Sequence, residues 1–131
     1  MLLWSKNCKY LFINIIKEEH MPQKTVKLNP LQSRTLALFQ ELARNPEASE
    51  KIEGSDDVSI MYFPKPHGNH VHIGNFVVSA KDASGFTNEV VWKVLERKGL
   101  AKSEFPYRII LNKKGLEFDT GFKDEFEISD H

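Results

Sequence analysis

The sequence predicts a small α+β domain with two main helices and two β-hairpins, and three observations carry that expectation. Residues 30–44 and 87–98 repeat their apolar side chains at helical spacing between clear start and stop signals. Residues 58–80 and 107–119 are rich in β-branched and aromatic side chains and are interrupted by glycine, proline and asparagine, as hairpins are. With 131 residues, 40% hydrophobic and 27% charged, the chain has material for one domain with a core of modest size.

Residues 1–26 differ in character from the rest of the chain. A short apolar run at 10–16 lies between Lys9 and Lys17, and Met21 offers a shorter start. The segment is read as an N-terminal extension, either upstream of the natural start or docked as an added strand or helix. It lacks the longer apolar core and small-residue cleavage site of a secretion signal, and no run approaches the roughly 20 apolar residues that span a bilayer. The single cysteine, Cys8, cannot form an internal disulfide, which fits a cytoplasmic protein.

The domain proper is expected over residues 27–122. In the first helix Asn29 is the cap, Pro30 suits the first position and Gln32 completes a capping box. Leu31, Thr35, Leu38 and Leu42 form its apolar stripe, flanked by Leu36, Phe39 and Ala43, and Asn45-Pro46 ends it. Residues 47–57, acidic and small, read as a solvated loop. Residues 58–63 alternate as a strand, 64–69 form a turn, and 70–80 return to complete a hairpin, with Gly74 and Asn75 as a bulge or break. A short helix over 75–82 is the alternative there.

The second helix, residues 87–98, takes Thr87 as cap and Glu89 in its first turn, and Gly99 is its left-handed stop. Val90, Val91, Trp92, Val94 and Leu95 cover a broad arc, so this helix is expected to be buried on two sides. A strand at 107–111, a turn at 112–115 and a returning strand at 116–119 come next. Residues 123–131 form an acidic tail.

Within residues 82–115, the sequence VVWKVLERKGLAK followed by YRIILNKKG resembles the ending of winged-helix domains. In those domains a helix closes on a leucine, a charged triplet and Gly-Leu ahead of the wing. The resemblance implies a non-catalytic regulatory module that binds duplex DNA, as a homodimer or a single chain. It places Thr87, Asn88 and Lys93 toward the bases and Lys102, Lys113 and Lys114 toward the DNA backbone; Arg97, from the local excess of bases, is the further candidate for nucleic-acid contact. The helix before the recognition helix is replaced here by a hairpin, and Asn112 stands where the family usually has threonine.

Charge bears on this in two directions. The whole chain is neutral, 18 Lys and Arg against 18 Asp and Glu, so no global field steers it to nucleic acid. Between Lys81 and Lys114, however, eight bases face four acids. The alternative is that Glu89 and Lys93 are an ordinary helical pair and the same fold is a protein-interaction domain without nucleic acid.

The segment PHGNHVH supplies a third reading. His70 and His72 share one face of a strand by alternation, and the turn folds His67 toward them, so three imidazoles can face one zinc or other divalent metal. The plainer alternative leaves His70 and His72 on the polar face of a half-exposed hairpin. Catalysis finds no support: Ser79, Asp82 and Ser84 lack a strained nucleophile turn, and no glycine loop cradles a phosphate.

Overall fold

The computed structural model describes residues 26–74, 76–122 and 127–128, so all but Val26 of the extension expected over residues 1–26 lies outside the described residues. The fold is α+β, with helices packed on antiparallel sheets. In chain order the elements are α1 (Pro30–Ala43), β1 (Ser49–Lys51), β2 (Val58–Ile60), β3 (His70–Ile73), β4 (Phe76–Ser79), a 3-10 turn (Ser84–Thr87), α2 (Glu89–Arg97), β5 (Ala101–Glu104), β6 (Arg108–Leu111), α3 (Lys113–Glu117) and β7 (Glu127–Ile128). One sheet has the order β1-β2-β6-β5 and the other β3-β4-β7. Part of the segment read as an acidic tail thus pairs with β4.

Helix α1 forms where its signals predict. Asn29 Oδ1 accepts from the Gln32 N–H at 2.8 Å and Gln32 Oε1 accepts from the Asn29 N–H at 3.0 Å, which satisfies two otherwise free donors. The helix is enclosed on most sides, with Leu36, Leu38, Phe39 and Leu42 in the core.

The core centres on Trp92. Its ring lies edge-on to Phe39 (5.8 Å between centroids) and Phe105 (4.9 Å) and tilted against Phe63 (5.2 Å), and Phe39 stacks on Phe86 at 5.5 Å. The buried indole N–H donates to the Gly85 carbonyl at 3.1 Å, so it keeps its hydrogen bond out of water.

Four local expectations are corrected. The strand at 58–63 does not pair with 70–80, because both edges of β2 are taken: Val58 and Ile60 face Lys51 and Ser49 of β1, and Leu111 and Ile109 of β6. β3 instead pairs with β4, the break expected before Phe76 is present with Gly74 left-handed (φ 58), and residues 76–79 are strand rather than the helix offered as the alternative. The segment read as a solvated loop contains β1, since the Ser49 hydroxyl donates to the carbonyls of Asn45 (3.0 Å) and Ala43 (3.2 Å) and carries Ala48 into the core. The strand expected at 116–119 is replaced by α3, whose first N–H groups are capped by Asn112 Oδ1, 2.9 Å from the Gly115 N–H.

The second helix also begins later than expected. Asn88, not Thr87, is its cap, accepting from the Val90 N–H at 3.1 Å, and Thr87 belongs to the 3-10 turn. Gly99 is left-handed (φ 79) as expected. Val91, Trp92, Val94 and Leu95 are buried, but Val90 is 67% exposed, which narrows the buried arc.

Trp92→Ala is expected to cost about 3–5 kcal/mol in urea unfolding, whereas Val90→Ala stays within about 0.5 kcal/mol. Gly115→Ala should also destabilise, because an added Cβ would stand 2.1 Å from the Leu100 carbonyl oxygen, a backbone atom that cannot swing aside. Equal losses at Trp92 and Val90 would contradict the packing described.

Candidate functional site

Two clusters of polar side chains are the candidates, and each is built by a turn. The first lies where the end of α2 meets the start of α3. Gly99 turns the chain out of α2 and Asn112 fastens that turn: its Nδ2 donates to the Gly99 carbonyl at 2.8 Å and its backbone N–H donates to the Leu100 carbonyl at 3.3 Å. Gln40 of α1 holds α3 from the other side, its Nε2 donating to the carbonyls of Gly115 (2.8 Å) and Phe118 (2.9 Å).

Arg97 and Lys98 immediately precede this junction and Lys113 and Lys114 immediately follow Asn112. Lys102 is exposed on β5, whose preceding residue Ala101 is buried. Among the described residues none of these five bases is in an ion pair. Arg97 and Lys98 also sit at the negative end of the α2 dipole, which favours a cation there.

The remaining predicted DNA-facing residues are spent locally. Lys93 Nζ lies 3.5 Å from Glu89 Oε2 across one helical turn, the ordinary pair that the sequence offered as the alternative. Asn88 caps α2, and Thr87, exposed, directs its hydroxyl to the Ser84 carbonyl at 3.4 Å. The acids are partly committed too, since Glu96 Oε2 accepts from the Ser103 N–H at 3.4 Å. Thus the chain next to Arg97 is fastened to the chain next to Lys113 and Lys114, Lys102 stands further along β5 opposite Ile110, and Asn88 and Lys93 are engaged elsewhere. Lys98 joins Arg97 without having been singled out from the sequence, although its place one residue before the glycine stop is a usual one for a helix-ending base.

The second cluster is the histidine turn. The His67 N–H donates to the His70 carbonyl at 2.6 Å, and the two residues form an antiparallel bridge around Gly68 (φ 74) and Asn69. Bridged residues share a face, as do His70 and His72 by strand alternation, so all three rings gather. Ring centroids are 5.4 Å apart for His67 and His70, 6.0 Å for His67 and His72, and 4.9 Å for His70 and His72. The Nε2 atoms of His70 and His72 are 3.2 Å apart, and His70 Nδ1 lies 3.4 Å from Asn69 Oδ1. Among the described residues no group of three or more His, Cys, Asp or Glu side chains stands ready to hold a metal ion.

Between the turn that carries His67 and the 3-10 turn lies a cleft of about 430 Å³, walled mainly by Phe63, Pro64, Phe86, Phe105 and Pro106. Its lining is apolar and brings no pair of titratable groups together. No described helix is long and apolar enough to cross a membrane.

At the β5–β6 turn, Arg108 Nε–H donates to Glu104 Oε1 at 2.6 Å, which neutralises both groups. That hydrogen bond holds the Glu104 carboxyl below its usual range, against a smaller opposing effect of burial, with the charges of Arg108 and Lys102 adding to the lowering. Because the folded-state pKa is depressed, the pair stabilises above the unfolded carboxyl pKa, and the contribution is lost as pH falls through the folded value. Carboxyl NMR titration of Glu104 should show this depression, and Arg108→Ala should raise the value toward that of a free glutamate.

Comparison of the chain with protein-family models, with curated proteins and with solved structures finds no match in any of the three.

Proposed function

We propose that this chain is a non-catalytic, winged-helix-like regulatory module that binds duplex DNA through its phosphate backbone at the corner formed by Arg97, Lys98, Lys102, Lys113 and Lys114. The observation that carries this reading is that Asn112 fastens the stretch bearing Arg97 and Lys98 to the stretch bearing Lys113 and Lys114, and that none of the five bases has an ion-pair partner among the described residues. The resemblance expects the wing over residues 107–119, where the chain instead continues from β6 into α3; the hairpin that follows α2 is β5–β6, and this reading takes it in the wing's role. Lys93 and Asn88 are engaged within the helix, so the contact is to phosphates rather than to base edges, and sequence discrimination is weak.

A phosphate-binding surface must lose affinity as salt rises. For about five phosphate contacts the slope of log K against log salt is about −4.5, a loss of several hundredfold between 50 and 200 mM. Fluorescence anisotropy with a duplex of arbitrary sequence measures this directly. Lys113→Ala and Lys114→Ala together should reduce the slope by about 2 without changing the melting temperature, since both side chains are exposed.

A second reading, a protein-interaction domain without nucleic acid, is supported by Val90 and Tyr107, which are 67% and 80% exposed. Large apolar side chains left in water are more useful against a protein than against a phosphate backbone. Absent DNA binding, or binding indifferent to salt, would overturn the DNA reading in favour of this one.

A further inference from the structure

We propose that His67, His70 and His72 form a site for one borderline divalent transition-metal ion, zinc or nickel in class, with a fourth position open to solvent. The inference is independent of the DNA reading. Its basis is the fit between the spacing of the three rings and the spacing that a metal imposes. Imidazole nitrogens bound at about 2.0 to 2.1 Å around a tetrahedral ion stand about 3.4 Å from one another, with ring centres about 5 Å apart. Here the Nε2 atoms of His70 and His72 are 3.2 Å apart and the three centroid separations are 4.9, 5.4 and 6.0 Å.

Backbone geometry sets this spacing before any ligand arrives. The His67–His70 bridge closes the turn, and strand alternation places His72 two residues further on the same face. A metal therefore has little chain entropy left to remove, which is the main cost of assembling ligands from a flexible loop. As they stand the three side chains do not form a ready ligand set; rotation of the exposed His67 side chain, with smaller turns of the His70 and His72 rings, is what would bring the three nitrogens to one ion.

Tautomers complete the case. With the His70 Nδ1–H donating to Asn69 Oδ1, at 3.4 Å, the lone pair of His70 is on Nε2. The 3.2 Å contact is then an N–H···N hydrogen bond from His72 Nε2. On metal binding His72 would change tautomer, Nε2 giving up its proton to solvent and Nδ1 taking one up, so that the ring stays neutral and both Nε2 lone pairs can turn to the ion. Asn69 acts as the outer partner that orients a ligating histidine. Three neutral imidazoles and no carboxylate favour zinc, nickel or copper over magnesium or calcium, which take oxygen ligands.

The test is titration of the full chain, freed of metal by chelator, with zinc chloride and with cobalt chloride. Calorimetry should give one ion per chain, and cobalt should develop the visible absorption of a four-coordinate site. The melting temperature should rise by about 10 °C at a hundredfold excess over Kd. His70→Ala and His72→Ala should abolish the cobalt spectrum. Asn69→Ala should keep the spectrum and weaken binding about 10- to 100-fold. His67→Ala should weaken binding at least tenfold and alter the cobalt spectrum. Because a substitution in this turn can disturb the hairpin, the far-UV spectrum and melting of each metal-free variant are compared with those of the parent. Absence of binding in the parent overturns the site. So does binding that survives His67, His70 and His72 all replaced by alanine, as it would if His20 or His131 held the ion.

Discussion

The buried indole of Trp92 is the constraint that the rest of the domain accommodates. A side chain of that size on a nine-residue helix has to be surrounded by other elements, and here it is met by α1 through Phe39, by the chain after β2 through Phe63, and by the β5–β6 turn through Phe105. Its N–H requires an acceptor, and the Gly85 carbonyl supplies one. That in turn draws the 3-10 turn against α1 so closely that a Cβ at Gly85 would lie 1.9 Å from Thr35 Oγ1. One hydrogen bond and one ring thus fix how four segments approach one another.

Committing α2 to the core limits what the helix can do at its surface. Four of its nine residues are buried, and of the exposed charged ones Glu89 and Lys93 face each other. A helix that reads a groove keeps several side chains free for base edges, and α2 does not. Free charge gathers instead where the helix ends, because the stop at Gly99 and the capping of α3 by Asn112 place two basic stretches at one junction. The same helix thereby serves as the pillar of the fold and brings only its C-terminal bases to the surface.

Legibility in the sequence tracks the range of the interaction that decides each feature. The ends of α1 and the stop of α2 depend on residues within four positions, and those signals are readable: Asn29, Pro30 and Gln32 at one helix and Gly99 at the other. The segment Asn-Lys-Lys-Gly at 112–115 satisfies the local chemistry of a turn and of a helix start equally well. What decides for the helix is Gln40, 75 residues away from Gly115 in the chain, whose amide donates to the carbonyls of Gly115 and Phe118. The partner of β2 is hidden for the same reason, since a neighbouring strand at 70–80 is the nearer choice in sequence and β6 is the one that pairs. Val90 falls within the apolar arc of its helix and still lies in solvent, because helical periodicity gives an arc but not the width that is buried, which depends on how many elements surround the helix.

The two candidate sites differ by this same measure, and the difference bears on how each would respond to change elsewhere in the chain. The histidine turn is assembled by a bridge between residues three apart and by alternation along one strand, so its spacing is legible and depends on few other residues. The basic corner depends on Asn112 reaching across 13 residues to Gly99 and on Gln40 reaching across 75. Loss of either amide would leave every base in place in the sequence and still separate them in space. The corner is therefore a property of the folded domain, whereas the histidine cluster is close to a property of the segment itself. Local unfolding at α3 would disperse the first and spare the second, since α3 and the histidine turn are held by different hydrogen bonds.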